Sequence, residues 1–268
     1  MAENGLFPVS LDRHSNRYWR RFTSYCFAEE IDACPVVISE IPQIATSFPI
    51  VFRLIKESFV PVALFSIIPD TVSPFVCQSG RWLAPYVPSA LRCFPFQAET
   101  ACESGARSRL LVNESSGLVT RDPQDNPFFT KDGQLSQNLS DVLHFFQNRQ
   151  VAAIETDRQC SIIAAMDLFE PLQQHEETTL PQGYWGIDAQ RLEHLPDAYN
   201  LTLLASGTLR LIHAHQVSLS HCAWLLRAQE RGAFQDAEPC RKLDGFIAAI
   251  AEDVYQGQAR QEVIHAMG

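Results

Sequence analysis

The sequence predicts an α+β fold, in which a small, mostly antiparallel sheet is covered by a long helix and followed by a C-terminal α/β portion. Two runs rich in Val, Ile and Phe, "PIVFRLI" at 49–55 and "FVPVALFSII" at 59–68, are typical of buried strands. From 136 to about 168, apolar residues recur at steps of three and four, which indicates a helix long enough to cover one face of a sheet.

The strands are predicted to pair as hairpins between residues 48 and 115. The polar "KES" joins the two apolar runs in a tight turn, and "RLLVN" at 109–113 adds a further strand. Two short segments, "FVC" and "WLA", suggest a second hairpin with Gly80 at its turn.

Residues 80–96, "GRWLAPYVPSALRCFPF", form what we call the aromatic corner. Pro85 and Pro88 are incompatible with a central strand, while Pro88 suits the first turn of a short helix. Two interpretations of the corner compete: its aromatic side chains complete the core of the protein, or they form a binding surface.

Helix ends can be predicted from capping residues. Ser39 is expected to cap a short helix whose first turn tolerates Pro42, and Ser136 or Ser140 to cap the long one. Asp188 caps another short helix, and Gly207 ends the next in the left-handed conformation. The segment from 208 to about 229 is predicted as a strand followed by a helix, or as one helix.

These elements predict one domain over residues 1–232. It consists of an irregular N-terminal part at 1–35, a β-rich part at 36–130, and a helical and C-terminal part at 131–232. Residues 233–268 are predicted to be a tail with an amphipathic helix.

The 268-residue chain is 46% hydrophobic and 19% charged, which suits a folded protein with a sizeable core. A net charge of −10 argues against nucleic acid or an anionic membrane as partner. No run approaches the ~20 apolar residues of a membrane span, and the N-terminus lacks an apolar leader, so a soluble cytoplasmic protein is expected. The exception to the acidic composition is the basic segment, residues 13–21, with four arginines.

The 8 cysteines contain no CxxC pair, which favours reduced thiols that fill the core over a disulfide framework or a reactive thiol. They are Cys26, Cys34, Cys77, Cys93, Cys102, Cys160, Cys222 and Cys240.

The histidines His213, His215 and His221 are the densest such group. On a strand, the first two imidazoles would share one face, so a metal-dependent enzyme of the oxygenase type using His213 and His215 is the alternative function. No nearby carboxylate completes a ligand set, and no nucleophile or nucleotide motif occurs. We therefore predict no catalytic residues, no metal and no cofactor.

The favoured function is the binding of a protein or peptide partner without catalysis. Trp82 and Tyr86 have the apolar body and polar end common at interfaces, and Arg92 beside them can stack or grip a carboxylate. The basic segment contributes Arg13, His14 and Arg17. The oligomeric state is not predictable from these patterns.

In chain order, "LDRHSNRYWR", "CPVVISEIPQIATSFPIVFR", the aromatic corner, "PFFTKDGQLSQNLSDVLHFFQ" and "LLASGTLRLIHAHQVSL" resemble the SapC family, a bacterial family named for a surface-layer protein locus. The resemblance spans about Ser10 to Arg227. It implies an accessory role without established catalysis, beside TonB-dependent receptors and flavin-dependent halogenase-like or cupin-like proteins. Its matching positions include Arg13, His14, Trp82, Tyr86, Arg92 and His215. Cys93 departs from it, standing where the family usually has a basic or polar residue, so this position supplies no second positive charge beside Arg92.

Overall fold

A computed structural model describes residues 5–99 and 109–234 of the chain. Its helices and antiparallel sheets confirm the predicted α+β class. Most of the predicted tail, and the cysteines Cys102 and Cys240, lie outside the described residues.

The strands are β1 (Leu6–Pro8), β2 (Tyr18–Trp19), β3 (Ala33–Pro35), β4 (Ile50–Ile55), β5 (Ser58–Leu64), β6 (Phe96–Glu99), β7 (Arg109–Asn113), β8 (Val119–Thr120), β9 (Asn126–Pro127), β10 (Phe169–Pro171), β11 (Gln174–His175), β12 (Thr178–Thr179) and β13 (Tyr184–Ile187). The α-helices are α1 (Leu11–His14), α2 (Ile41–Ala45), α3 (Gln137–Ala165), α4 (Ala189–Glu193), α5 (Asp197–Ala205), α6 (Thr208–Ser218) and α7 (His221–Phe234).

The chain divides into two compact units. The first comprises Met1–Thr23, Val37–Ser39 and Pro88–Thr156, and the second comprises Ser24–Val36, Glu40–Val87 and Asp157–Gly268. The one-domain division predicted from the sequence stays a prediction.

The first unit contains two three-stranded sheets, ordered β1-β7-β6 and β8-β2-β9. Its core comprises Trp19, Phe96, Leu110, Val112, Phe128 and Leu139. Val142 and Phe146 of α3 pack against this cluster. The three- and four-residue spacing from Leu139 to Phe146 thus places one side of the long helix over a sheet, as predicted.

The second unit is built on a five-stranded sheet, ordered β10-β13-β4-β5-β3. β4 and β5 pair from Ile50 opposite Ala63 to Ile55 opposite Ser58. The two residues between these strands, Lys56 and Glu57, have φ values of 47° and 68°. Two left-handed residues in succession match the twist of a two-residue hairpin, so the predicted turn is confirmed. Helix α6 packs against β4 and β13.

Three local predictions differ from the structure. Strands between 48 and 115 do not form one sheet, because β4 and β5 belong to the five-stranded sheet and β6 and β7 to another. Glu40, not Ser39, occupies the N-cap of α2, although Pro42 lies in the first turn as expected. The short helix after Pro88 is a single 3₁₀ turn, Ser89–Leu91.

Residues 208–216 are helical, so the strand alternative for this segment is wrong. The segment forms two helices, α6 and α7, and so differs from the single-helix alternative as well. The buried positions Thr208, Leu211, Ile212, His215 and Ser218 recur at helical spacing. Burial of one face therefore favours the helix over a strand for this segment. The spacing of His213 and His215 does not place the two imidazoles on one face.

Within residues 5–99 and 109–234, no helix is both long and apolar enough to cross a bilayer.

Candidate functional site

The basic segment is anchored in the first unit by Glu114. Nε of Arg13 lies 2.5 Å from Oε1 of Glu114 and Nη2 lies 3.1 Å from Oε2, a two-pronged ion pair. The Arg13 guanidinium also lies over the Phe7 ring, 3.6 Å from its centroid. Arg13 is thus held between a carboxylate and an aromatic face, which fixes α1.

Local turn chemistry places Glu114 opposite Arg13. Glu114 begins a 3₁₀ turn, Glu114–Ser116, which directly follows β7. The side chain of Asn113 accepts a hydrogen bond from the Ser115 amide, and Gly117 ends the turn with φ 72°. The hydrogen bond from Arg13 lowers the pKa of Glu114, and the positive charges of Arg13 and Arg17 add to this effect against the opposing effect of burial.

His14 is fully buried next to this ion pair. Its Nε2 approaches Oε1 of Glu114 to 3.2 Å, and its ring lies 4.8 Å from that of Phe128. Burial lowers the pKa of His14 despite the nearby carboxylate. A buried neutral imidazole cannot meet a partner directly, so His14 holds the basic segment in place. Arg13 is exposed but pairs with Glu114, and Arg17 is half-buried.

A second cationic cluster lies at the end of the basic segment. Burial raises the pKa of the Cys93 thiol to about 11, and the positive charges of Arg92 and Arg21 oppose this rise. Both arginines are exposed. Cys93 carries no positive charge itself, so Arg21 provides the second positive charge beside Arg92.

Two aromatic rings accompany these arginines. Phe22 and Phe94 meet edge to face, with centroids 6.2 Å apart, and both are half-buried. The residues Arg21, Phe22, Arg92 and Phe94 are called the arginine patch below. It unites the end of the basic segment with the end of the aromatic corner inside the first unit.

Trp82 and Tyr86 belong to the second unit, and a hydrogen bond joins these two residues of the aromatic corner. The Trp82 indole N–H donates to the backbone carbonyl of Tyr86 at 2.8 Å, and the Tyr86 hydroxyl donates to Oε2 of Glu40 at 3.0 Å. The Trp82 ring lies 5.5 Å from Phe65 and stacks on Phe75 at 6.0 Å. Both of these phenylalanines are fully buried, so the half-buried Trp82 is the outer layer of a core.

The histidines of the alternative metal hypothesis do not come together. His213 is exposed on α6 whereas His215 is buried, because residues two apart point to different sides of a helix. Both ring nitrogens of His215 are already bonded: Nδ1 lies 2.7 Å from the Ile50 carbonyl, and Nε2 accepts from the Ile187 amide at 3.2 Å. The metal hypothesis required His213 and His215 to lie on a strand, but both residues lie on helix α6.

Sequence reasoning missed Glu114, Arg21, Phe22 and Phe94 as site residues. The run of four arginines contained Arg21, and the aromatic corner contained Phe94. Their proximity carried no sequence signal, because the contacts join segments about 70 to 100 residues apart.

Comparison with models of protein families shows which family the chain belongs to. The model of the family described as SapC matches residues 9–225 of the chain. The chain belongs to the SapC family. No curated protein and no solved structure gives a match.

The SapC match contains the arginine patch together with Arg13, His14, Glu114, Trp82 and Tyr86. It begins just before α1 and ends within α7, so it spans parts of both compact units and leaves residues 226–268 outside. The resemblance deduced from the sequence blocks is therefore confirmed.

Proposed function

We propose that this SapC family member is a non-catalytic accessory protein that binds an acidic segment of a partner protein or peptide. The observation that carries the proposal is the arginine patch, where Arg21 and Arg92 flank Cys93 next to the Phe22 and Phe94 rings. Guanidinium groups bind carboxylates in two-pronged geometry, and neighbouring aromatic rings supply apolar area at low entropic cost.

The contrast between the patch and the rest of the chain supports an acidic ligand. The chain carries a net charge of −10, so a positive cluster on it attracts anionic groups that the remaining surface repels. In the same unit, Arg17 adds positive charge near Glu114, and Arg13 and His14 hold the basic segment against the Glu114 turn.

Trp82 and Tyr86 supply a second contact surface in the second unit. The hydrogen bond between the Trp82 indole and the Tyr86 backbone fixes the loop before a ligand arrives, which reduces the entropy lost on binding. The family resemblance points to halogenase-like enzymes and TonB-dependent receptors as the partners to examine first.

Affinity purification from the native cell, followed by mass spectrometry, tests the proposal. Arg21→Glu combined with Arg92→Glu should abolish recovery of the partner, and added salt should weaken it because the contact is electrostatic. Arg121→Glu is the matched control, since Arg121 is an exposed arginine of the same unit. The proposal fails if every co-purifying protein is recovered equally with the double variant and the control.

A further inference from the structure

Two cysteines of the second unit, Cys77 and Cys26, lie at the same turn. Val76 and Trp82 form an antiparallel bridge, the Cys77 amide donates to the Arg81 carbonyl at 3.0 Å, and the Gly80 amide donates to the Cys77 carbonyl at 2.7 Å. Cys77 therefore lies at the base of a tight turn, which Gly80 completes with φ 75°.

The segment carrying Cys26 lies directly against that turn. The Tyr25 amide donates to the Gly80 carbonyl at 2.7 Å. A Cβ atom added to Gly80 would lie 2.9 Å from Sγ of Cys26 and 1.8 Å from Oγ of Ser24. Gly80 thus brings the exposed Cys26 thiol to the turn that presents Cys77.

The surroundings of Cys77 favour its thiolate. Sγ of Cys77 lies 3.0 Å from Oγ of Ser79. Burial acts to raise the pKa of this thiol, but hydrogen bonds from Ser79 and from the backbone amides, with the charge of Arg81, outweigh it and lower the pKa. By contrast, burial raises the pKa of Cys160 and Cys222 to about 12.

We propose that Cys77 and Cys26 form an oxidant-sensitive thiol pair, in which Cys77 reacts with a peroxide and Cys26 then closes a disulfide across the Gly80 turn. This inference is independent of the proposed binding function.

The chemistry balances with the peroxide as oxidant. The Cys77 thiolate attacks one peroxide oxygen, so that an S–O bond forms, the O–O bond breaks, and the departing hydroxide takes a proton to become water. The Cys26 sulfur then attacks the sulfenic acid, an S–S bond forms, and the S–O bond breaks. The second hydroxide leaves as water with the proton from Cys26. Two thiols are oxidised and one hydrogen peroxide is reduced to two waters.

The test treats the reduced full-length chain with equimolar hydrogen peroxide and maps its peptides by mass spectrometry without reduction. A peptide pair joined through Cys26 and Cys77 is expected. Cys26→Ser should instead accumulate a sulfenic acid at Cys77 that dimedone traps, and Cys77→Ser should abolish the link. Cys93→Ser, at a half-buried thiol of the first unit, should leave it unchanged.

A second measurement needs no variant. In the native chain at neutral pH, iodoacetamide should alkylate Cys77 at least about tenfold faster than Cys93, because the larger thiolate fraction outweighs the lower intrinsic nucleophilicity. Reaction of peroxide first at another cysteine, a disulfide to a different partner, or equal alkylation of Cys77 and Cys93 would each overturn the proposal.

Discussion

His215 on α6 is hydrogen-bonded to the backbone carbonyl of Ile50 on β4. Its Nδ1 donates to the Ile50 carbonyl at 2.7 Å, and Ser218 one turn later accepts from the Ile50 amide at 2.9 Å. Nε2 of the same imidazole accepts from the Ile187 amide of β13. One neutral side chain thus connects helix α6 to two neighbouring strands of the five-stranded sheet.

Replacing His215 should destabilise the second unit. His215→Leu keeps much of the volume but leaves the buried carbonyl of Ile50 and amide of Ile187 without partners, so we expect a loss of about 3 kcal/mol in the free energy of unfolding. Denaturant titration measures it. His213→Gln, on the exposed side of the same helix, is the control, and equal losses in the two variants would contradict the assignment.

The same imidazole should make stability depend on pH. Burial lowers the pKa of His215 to about 4, so the folded state keeps it neutral while the unfolded chain binds a proton below about 6.5. The contribution of His215 is complete above that value and is lost as pH falls through the folded pKa, a total of about 3 kcal/mol. His14 acts in the same direction, so the measurement is the difference between wild type and His215→Leu, which should shrink in acid. A difference independent of pH would refute it.

Local signals explain why much of the fold is predictable from the sequence. The β-branched and aromatic runs predicted β4 and β5, and the three- and four-residue spacing predicted α3. Asp188 caps α4 by accepting the Arg191 amide, and Gly207 follows α5 with φ 74°, both as expected. In each case a few neighbouring residues determine the structure.

The candidate site was less predictable, because its contacts are not local. Arg13 and Glu114 are 101 positions apart, and neither the charge of Glu114 nor its neighbours distinguish it from other surface acids. Likewise, the sequence leaves open whether the Trp82 ring belongs to the core or to a binding surface, because its contacts with Phe65 and Phe75 depend on how distant segments pack.

Gly80 should tolerate no side chain. In Gly80→Ala the added Cβ would lie 2.8 Å from Cβ of Ser24, a contact that side-chain rotation cannot relieve, and the left-handed φ adds strain. We therefore expect a loss of about 3 kcal/mol in the free energy of unfolding. Gly117→Ala is the matched control, because Gly117 has a similar φ of 72° and nothing within 4 Å of the added Cβ. It should cost only about 1 kcal/mol. Equal costs in denaturant titrations would show that steric overlap is not decisive.

Trp82→Ala should unfold more readily than wild type. The substitution removes a ring that packs on Phe65 and Phe75, so a loss of about 2 to 4 kcal/mol is expected, and Trp82→Phe should recover most of it. Thermal melts of both variants measure this. Tyr199→Ala, at a residue that is 47% exposed, should change stability by about 0.5 kcal/mol or less. If Trp82→Ala melts like wild type, Trp82 is not part of the core. Loss of a binding partner in Trp82→Ala is therefore informative only beside Trp82→Phe.

Glu114→Gln should weaken the first unit in a manner that depends on pH. The hydrogen bond from Arg13, and the neighbouring positive charges, lower the pKa of Glu114 in the folded state, so its stabilising contribution is present above the unfolded value of about 4.3 and is lost as pH falls through the folded pKa. Thermal melts should therefore show a lower melting temperature for Glu114→Gln at neutral pH and a smaller difference from wild type in acid. Added salt should reduce the neutral-pH difference because Arg13 is largely exposed. Glu193→Gln, at an exposed carboxylate, serves as the control. A deficit that persists in acid would mean that Glu114 stabilises the turn by packing, and that its ion pair with Arg13 contributes little.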